Sequence, residues 1–175
     1  MTGEPPIAMP TVLVAGIGNM FLGDDGFGVE VVRRLAARPR RPGVTVKDFG
    51  IRGLDLAFSL VDGADLTILV DATARGGRPG TLYTIEPELP AADGDVAPQS
   101  VASHGMDPAK VLRLAQTLGG RLGRIVLVGC EPETFGPEHE GHMGLSAPVE
   151  AAVEEAVRMI EGLVESTEVP WSARI

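Results

Sequence analysis

The chain has 175 residues, 44% of them hydrophobic, 22% charged and only 4% aromatic, with a formal net charge of −9. That length suits one domain around a single core of Val, Leu, Ile and Ala, and the composition excludes wholesale disorder. The negative charge repels phosphate backbones and anionic lipid, which argues against nucleic acid and the membrane as main partners, although acidity serves plain solubility equally well.

A single cysteine, Cys130, rules out an internal disulfide and points to a reducing compartment. No apolar run approaches the ~20 residues of a membrane span. The opening MTGEPPIAMP has neither the basic nor the apolar region of a secretion signal. Residues 1–10 therefore read as a flexible lead-in and the protein as cytoplasmic.

Thr11–Ala15 is a short apolar run ending at glycine, the pattern of a buried parallel strand. The glycine-rich stretch GIGNMFLGDDGFG, residues 16–28, follows it. Phe27–Ala37 then sets Val29, Val32, Leu35 and Ala36 on one helical face, with Arg33 and Arg34 on the other. Val44–Phe49 alternates as a second strand, and Gly50 and Gly53 turn the chain into a short helix over Leu54–Val61. Leu66–Val70 is a third, fully buried strand finishing at Asp71. Beyond the loop ATARGGRPG, Thr81–Ile85 has the period of a strand at a sheet edge.

Residues 87–103, with three prolines and several small residues, read as a mobile loop. Asp107-Pro108 places an N-cap acid before a proline at the first helical position; the helix it opens runs to Leu118 and stops at Gly119-Gly120. Arg124–Gly129 is another buried strand. The last helix carries an unbroken stripe of Val149, Ala152, Val153, Ala156, Val157, Ile160, Leu163 and Val164, read as core, with Glu150, Glu154, Glu155 and Arg158 opposite. Residues 166–175 are left as a tail. This order predicts one α/β domain over 11–165, a three-layer αβα sandwich with a mostly parallel twisted sheet of about five strands and helices on both faces. Ligands in such sheets bind at the carboxyl ends of the strands.

A nucleotide is the first ligand to test. Gly16-x-Gly18 follows a strand and opens a helix as a dinucleotide fingerprint should, but the third glycine is replaced by Phe21. Asp48, a stand-in for the ribose-binding acid, lies further on than the usual ~20 residues. Electrostatics argue harder. A phosphate beside Asp24 and Asp25 would meet like charge at a cost on the order of 4 kcal/mol per pair, more than the ~2 kcal/mol a helix dipole returns. No nucleotide is expected; the turn is built for a cation.

Asp25 is one candidate ligand. Asp71, at the mouth of the third strand, is the next, since an acid after four apolar residues is not needed for folding. His104 in VASHGMDP, just before a helix start, is the third. Two carboxylates and an imidazole suit a borderline divalent ion with open positions. Each residue also has a plainer role: Asp25 as an acid at a helix N-terminus, Asp71 as a turn cap, His104 as an exposed loop residue. His139 and His142 could form a second cluster, but Gly136, Pro137, Gly141 and Gly144 argue against a shared helical face and favour a solvated loop. Cys130 ends a buried strand and packs as a small apolar group. No GxSxG or other triad signal supports nucleophilic Cys or Ser catalysis.

GIGNMFLGDDGFG resembles the opening motif of the hydrogenase maturation proteases. The resemblance continues through Gly50-Ile51-Arg52-Gly53, LVDATARGGRPG, SHGMDP, VGCEPE and MGLSAPVEAAV, from about Val12 to Leu163. The resemblance implies an endopeptidase that removes a short C-terminal peptide from the precursor of a nickel–iron hydrogenase large subunit, once nickel has been inserted. It maps the metal-recognising trio onto Asp25, Asp71 and His104, with nickel supplied by the precursor. Two routes to hydrolysis stay open: the metal as Lewis acid, or a carboxylate, Asp24 or Asp25, as general base. The flanking loops, through Gly18 and Asn19 and through Gly50 and Gly53, are expected to touch substrate. The turn at residues 49–53 departs from the Gly-Gly-Thr/Ser-like form frequent in that family. A monomer is expected. A non-catalytic nickel-sensing or chaperone module on the same scaffold is the rival reading.

Overall fold

A computed structural model describes residues 9–89, 106–137 and 140–168. Strands and helices alternate as β1 (Val12–Ile17), a 3-10 turn (Gly23–Gly26), α1 (Phe27–Ala36), β2 (Val44–Gly50), α2 (Gly53–Val61), β3 (Leu66–Ala72), β4 (Leu82–Ile85), α3 (Pro108–Thr117), β5 (Arg124–Cys130) and α4 (Ala147–Glu168). One five-stranded sheet has the order β2-β1-β3-β5-β4. Its first four strands are parallel, and β4 runs antiparallel to β5 at the edge.

Because β1, β3 and β5 lie inside the sheet, alternate residues serve two cores. Val12, Val14, Leu66, Ile68, Val70, Val126 and Val128 face α1 and α4. Leu13, Ala15, Ile17, Leu69 and Ile125 face α2 and α3. The three-layer expectation stands. The acidic face of α4 is more than a solvated surface: Glu150 pairs with Arg34 of α1, Glu154 with Arg38 just after it, and Glu161 takes Arg38 at 3.0 Å.

Two glycines of the opening motif let α1 press onto the strand ends. A Cβ on Gly28 would lie 2.0 Å from the Val70 carbonyl oxygen and 2.4 Å from that of Ile17; one on Gly16 would lie 2.4 Å from a Val32 methyl. Any side chain there would push the helix start, and the turn before it, off the sheet.

At α3, Asp107 caps the helix by accepting the Ala109 N–H at 3.0 Å, with Pro108 in the first turn. At the other end of the chain, α4 continues past 165 to Glu168, into residues read from the sequence as tail. Ser166 and Thr167 turn their hydroxyls back to the Leu163 carbonyl and so remain helical. Most of the proline-rich stretch after Leu89, together with His104 and His139, lies outside the described residues. Among the described residues no helix is long and apolar enough to cross a membrane.

Candidate active site

From β1 the chain passes to β2 on one side, while β3 lies on the other, so the topological switch point of the sheet is between β1 and β3. Asp25, in the turn after β1, and Asp71, near the end of β3, meet there.

Asp25 is partly buried, and its Oδ2 accepts the Asn19 N–H at 2.7 Å. Burial pushes its carboxyl above the ordinary 3.8, and the Asn19 bond draws it partly back. Asp71 is held well above 3.8, first by burial and then by the charge of Asp25, with the Ala72 N–H opposing. Neither carboxylate has an ion-pair partner among the described residues. Two acids of raised proton affinity, that of Asp71 raised in part by the charge of Asp25, form a site short of positive charge.

The flanking loops are fixed by backbone geometry. Gly18 has φ +127°, and a Cβ there would lie 1.8 Å from the Asp25 carbonyl oxygen, so only glycine lets the loop close on the turn. Its N–H donates to the Gly50 carbonyl at 3.0 Å, tying the loops after β1 and β2 together at the bulge where Ile17 pairs with Gly50. Asn19 accepts the Phe21 N–H on Oδ1 at 2.9 Å, and so shapes the turn with its side chain while orienting Asp25 with its backbone. Gly53 leaves room for Met106, whose Cγ would lie 3.2 Å from a Cβ at that position. The described chain thus resumes at Met106 against the same loop cluster. His104, just upstream, lies outside the described residues. Among those residues no group of three His, Cys, Asp or Glu is placed to hold a metal.

Asp24 faces away from this cleft. It is fully buried, and its carboxylate accepts four hydrogen bonds: Glu133 N–H at 2.8 Å, Thr134 N–H at 3.0 Å, Ser146 N–H at 2.7 Å and the Ser146 hydroxyl at 2.9 Å. With its acceptor positions filled, Asp24 clamps the 3-10 turn to the loop after β5 and to the start of α4. The alternative that Asp24 serves as the general base finds no support in this arrangement. Cys130 is also buried, and burial, then the charges of Asp24 and Glu131, push its thiol up to about 12, which leaves no thiolate near neutral pH.

Two features escaped the sequence reading. Glu131, 5% exposed, accepts the N–H groups of Arg75 and Gly76 and the Tyr83 hydroxyl at 2.8–3.0 Å, and so holds the loop that follows Asp71. Burial alone would raise its carboxyl, but these donors together lower it. Its only signal was an acid directly after an apolar strand. His142 does keep an exposed side chain, but its stretch is not a free loop. Its N–H donates to the Phe21 carbonyl and its carbonyl accepts the Gly23 N–H, both at 2.7 Å, forming an isolated parallel bridge with Leu22.

Known proteins resemble this chain in sequence and fold. The family model described as hydrogenase maturation protease matches residues 29–163. The hydrogenase expression/formation protein HupD of Rhizobium leguminosarum bv. viciae is 35% identical over 167 residues, covering 90% of this chain and 77% of the relative. The hydrogenase 2 maturation protease of Escherichia coli is 30% identical over 151 residues, covering 85% and 87%. The solved structure of the hydrogenase maturating endopeptidase HybD from E. coli superposes with a TM-score of 0.73 at 29% identity, covering 90% of this chain and 93% of that one. With the fold and the sequence in agreement across most of its length, this chain belongs to the hydrogenase maturation protease family and is a peptide-bond hydrolase.

Proposed function

We propose that the protein removes a short C-terminal peptide from the nickel-loaded precursor of a nickel–iron hydrogenase large subunit, and that Asp25, Asp71 and His104 receive the metal that the precursor brings. One observation carries this reading. Asp25 and Asp71 converge at the switch point with no cation among the described residues to offset them, so a divalent ion carried by the substrate relieves a repulsion that a metal-free precursor leaves in place. Nickel is here part of the substrate, and a borderline ion suits carboxylate and imidazole together.

The chemistry follows from the same groups. Hydrolysis adds water across the scissile C–N bond: hydroxide goes to the carbonyl carbon and a proton to the leaving amine. A carboxylate can take that proton from water and return it to the amine. We assign this role to Asp25, whose carboxylate the Asn19 N–H orients. Gly18, Asn19, Gly50 and Gly53 form the wall along which the peptide backbone lies.

The test is cleavage of nickel-loaded precursor by Asp25→Asn and His104→Ala proteins, read by mass spectrometry as loss of a C-terminal peptide. Both variants are expected to stop processing; undiminished cleavage by either refutes the assignment.

A further inference from the structure

Four large apolar side chains stand in solvent around the turn that carries Asp25: Met20, Phe21, Phe135 and Met143, at 39%, 55%, 44% and 62% exposure. The backbone gathers them. Phe21 and Met143 flank the Leu22–His142 bridge. A Cβ on Gly23 would lie 3.2 Å from the Phe135 carbonyl carbon, and one on Gly26 would lie 3.1 Å from Met20 Cα. The chain has only five phenylalanines, and while Phe27 and Phe49 are fully buried, two of the others stand at this rim. Together the four expose on the order of 300 Å² of apolar surface, a size that on a monomer usually marks a binding site.

The occupant is constrained by hydrogen bonding. From Phe21 to Asp25 every backbone N–H is already used within the protein: by Asn19 Oδ1, the Asn19 carbonyl, the His142 carbonyl, the Thr134 carbonyl and the Leu22 carbonyl, in chain order. Residues 21–25 therefore offer no free main-chain donor to an extended peptide adding as a strand. What the rim presents is side chains: two rigid rings and two pliant thioethers, suited to a complementary apolar face. A second copy is disfavoured, because it would bring a further −9 against the first.

We infer that Met20, Phe21, Phe135 and Met143 dock a folded apolar face of the precursor bordering its metal, separately from the tail that is cut. This rests on the function proposed above and adds a second point of contact to it. Docking supplies affinity, and the carboxylates supply selection and chemistry.

Steady-state cleavage of nickel-loaded precursor tests it, with wild type, the double variant Phe21→Ser/Met143→Ser, Phe135→Ser, Phe21→Leu and Leu118→Ser. Leu118 is 44% exposed at the far end of α3 and serves as the control. The expected result is a KM raised by about tenfold or more in the double variant and by a smaller factor in Phe135→Ser, with kcat within about twofold. Phe21→Leu should stay near wild type, and Leu118→Ser should be unchanged. If wild type cleaves and both rim variants keep its KM, the docking surface is wrong while the proposed function stands. If wild type does not cleave the loaded precursor, the function fails and the docking surface with it. A wild-type dimer in light scattering that the double variant dissolves would assign the rim to a second copy and overturn the inference.

Discussion

Acidic residues meet opposite circumstances at two places in this molecule. Along the seam between α1 and α4, Glu150, Glu154, Glu161 and Glu165 each face an arginine of α1 or of the segment just after it. At the carboxyl end of the sheet, Asp25 and Asp71 face each other with no counter-ion among the described residues. The first pattern belongs to folding, because both charges are supplied by the chain. Under the function proposed above, the second is completed by the positive charge that the substrate brings.

The contrast breaks most visibly in function. Asp71→Asn keeps the shape of the side chain but removes one charge, and processing of nickel-loaded precursor is expected to fall by about 10²-fold or more. Quantifying released peptide over time checks this, and a fall of less than about threefold would place Asp71 among the merely structural acids.

Asp24 sharpens the comparison from the other side. Asp24→Ala strips three backbone N–H groups and a hydroxyl of their acceptor in a buried place, and should cost about 3–5 kcal/mol in urea unfolding. An unfolding midpoint close to wild type would contradict its role as clamp.

The stability of Asp71→Asn carries the opposite sign. Because the folded state raises the Asp71 pKa above 3.8, the native protein holds that proton more tightly than the unfolded chain does. The stability this contributes is fully present below about pH 3.8 and is lost as pH rises through the folded value. Asn, which does not ionise, should therefore raise Tm by about 2–4 °C at pH 7 and by nothing near pH 3. Paired thermal melts at the two pH values test the sign.

The smallest effect belongs to the seam. Glu154→Gln should change stability by about 0–1 kcal/mol, diminishing further in high salt, and leave processing unchanged.

Much of this architecture was legible in the sequence because its signals are local. The apolar runs of β1, β3 and β5, the stripe of α4 and the Asp107-Pro108 start of α3 each declare themselves within one element. The Asp25–Asp71 pairing could be inferred because the parallel fold brings strand ends to one edge. What sequence could not separate was Asp24 from Asp25: adjacent and chemically identical, they point to opposite sides of one turn, and the partners of Asp24 lie more than a hundred residues away. Glu131 shows the limit of another rule. An acid after an apolar strand was taken as unneeded for folding at Asp71, yet in the same pattern Glu131 is the anchor of a loop.

The most direct measurement is a mass-spectrometric comparison of nickel-loaded and nickel-free large-subunit precursor, each incubated with the wild-type protein. Release of a C-terminal peptide from the loaded form alone is the result expected of two carboxylates awaiting a substrate-borne cation. Equal release from both forms would show that the pair does not read the metal.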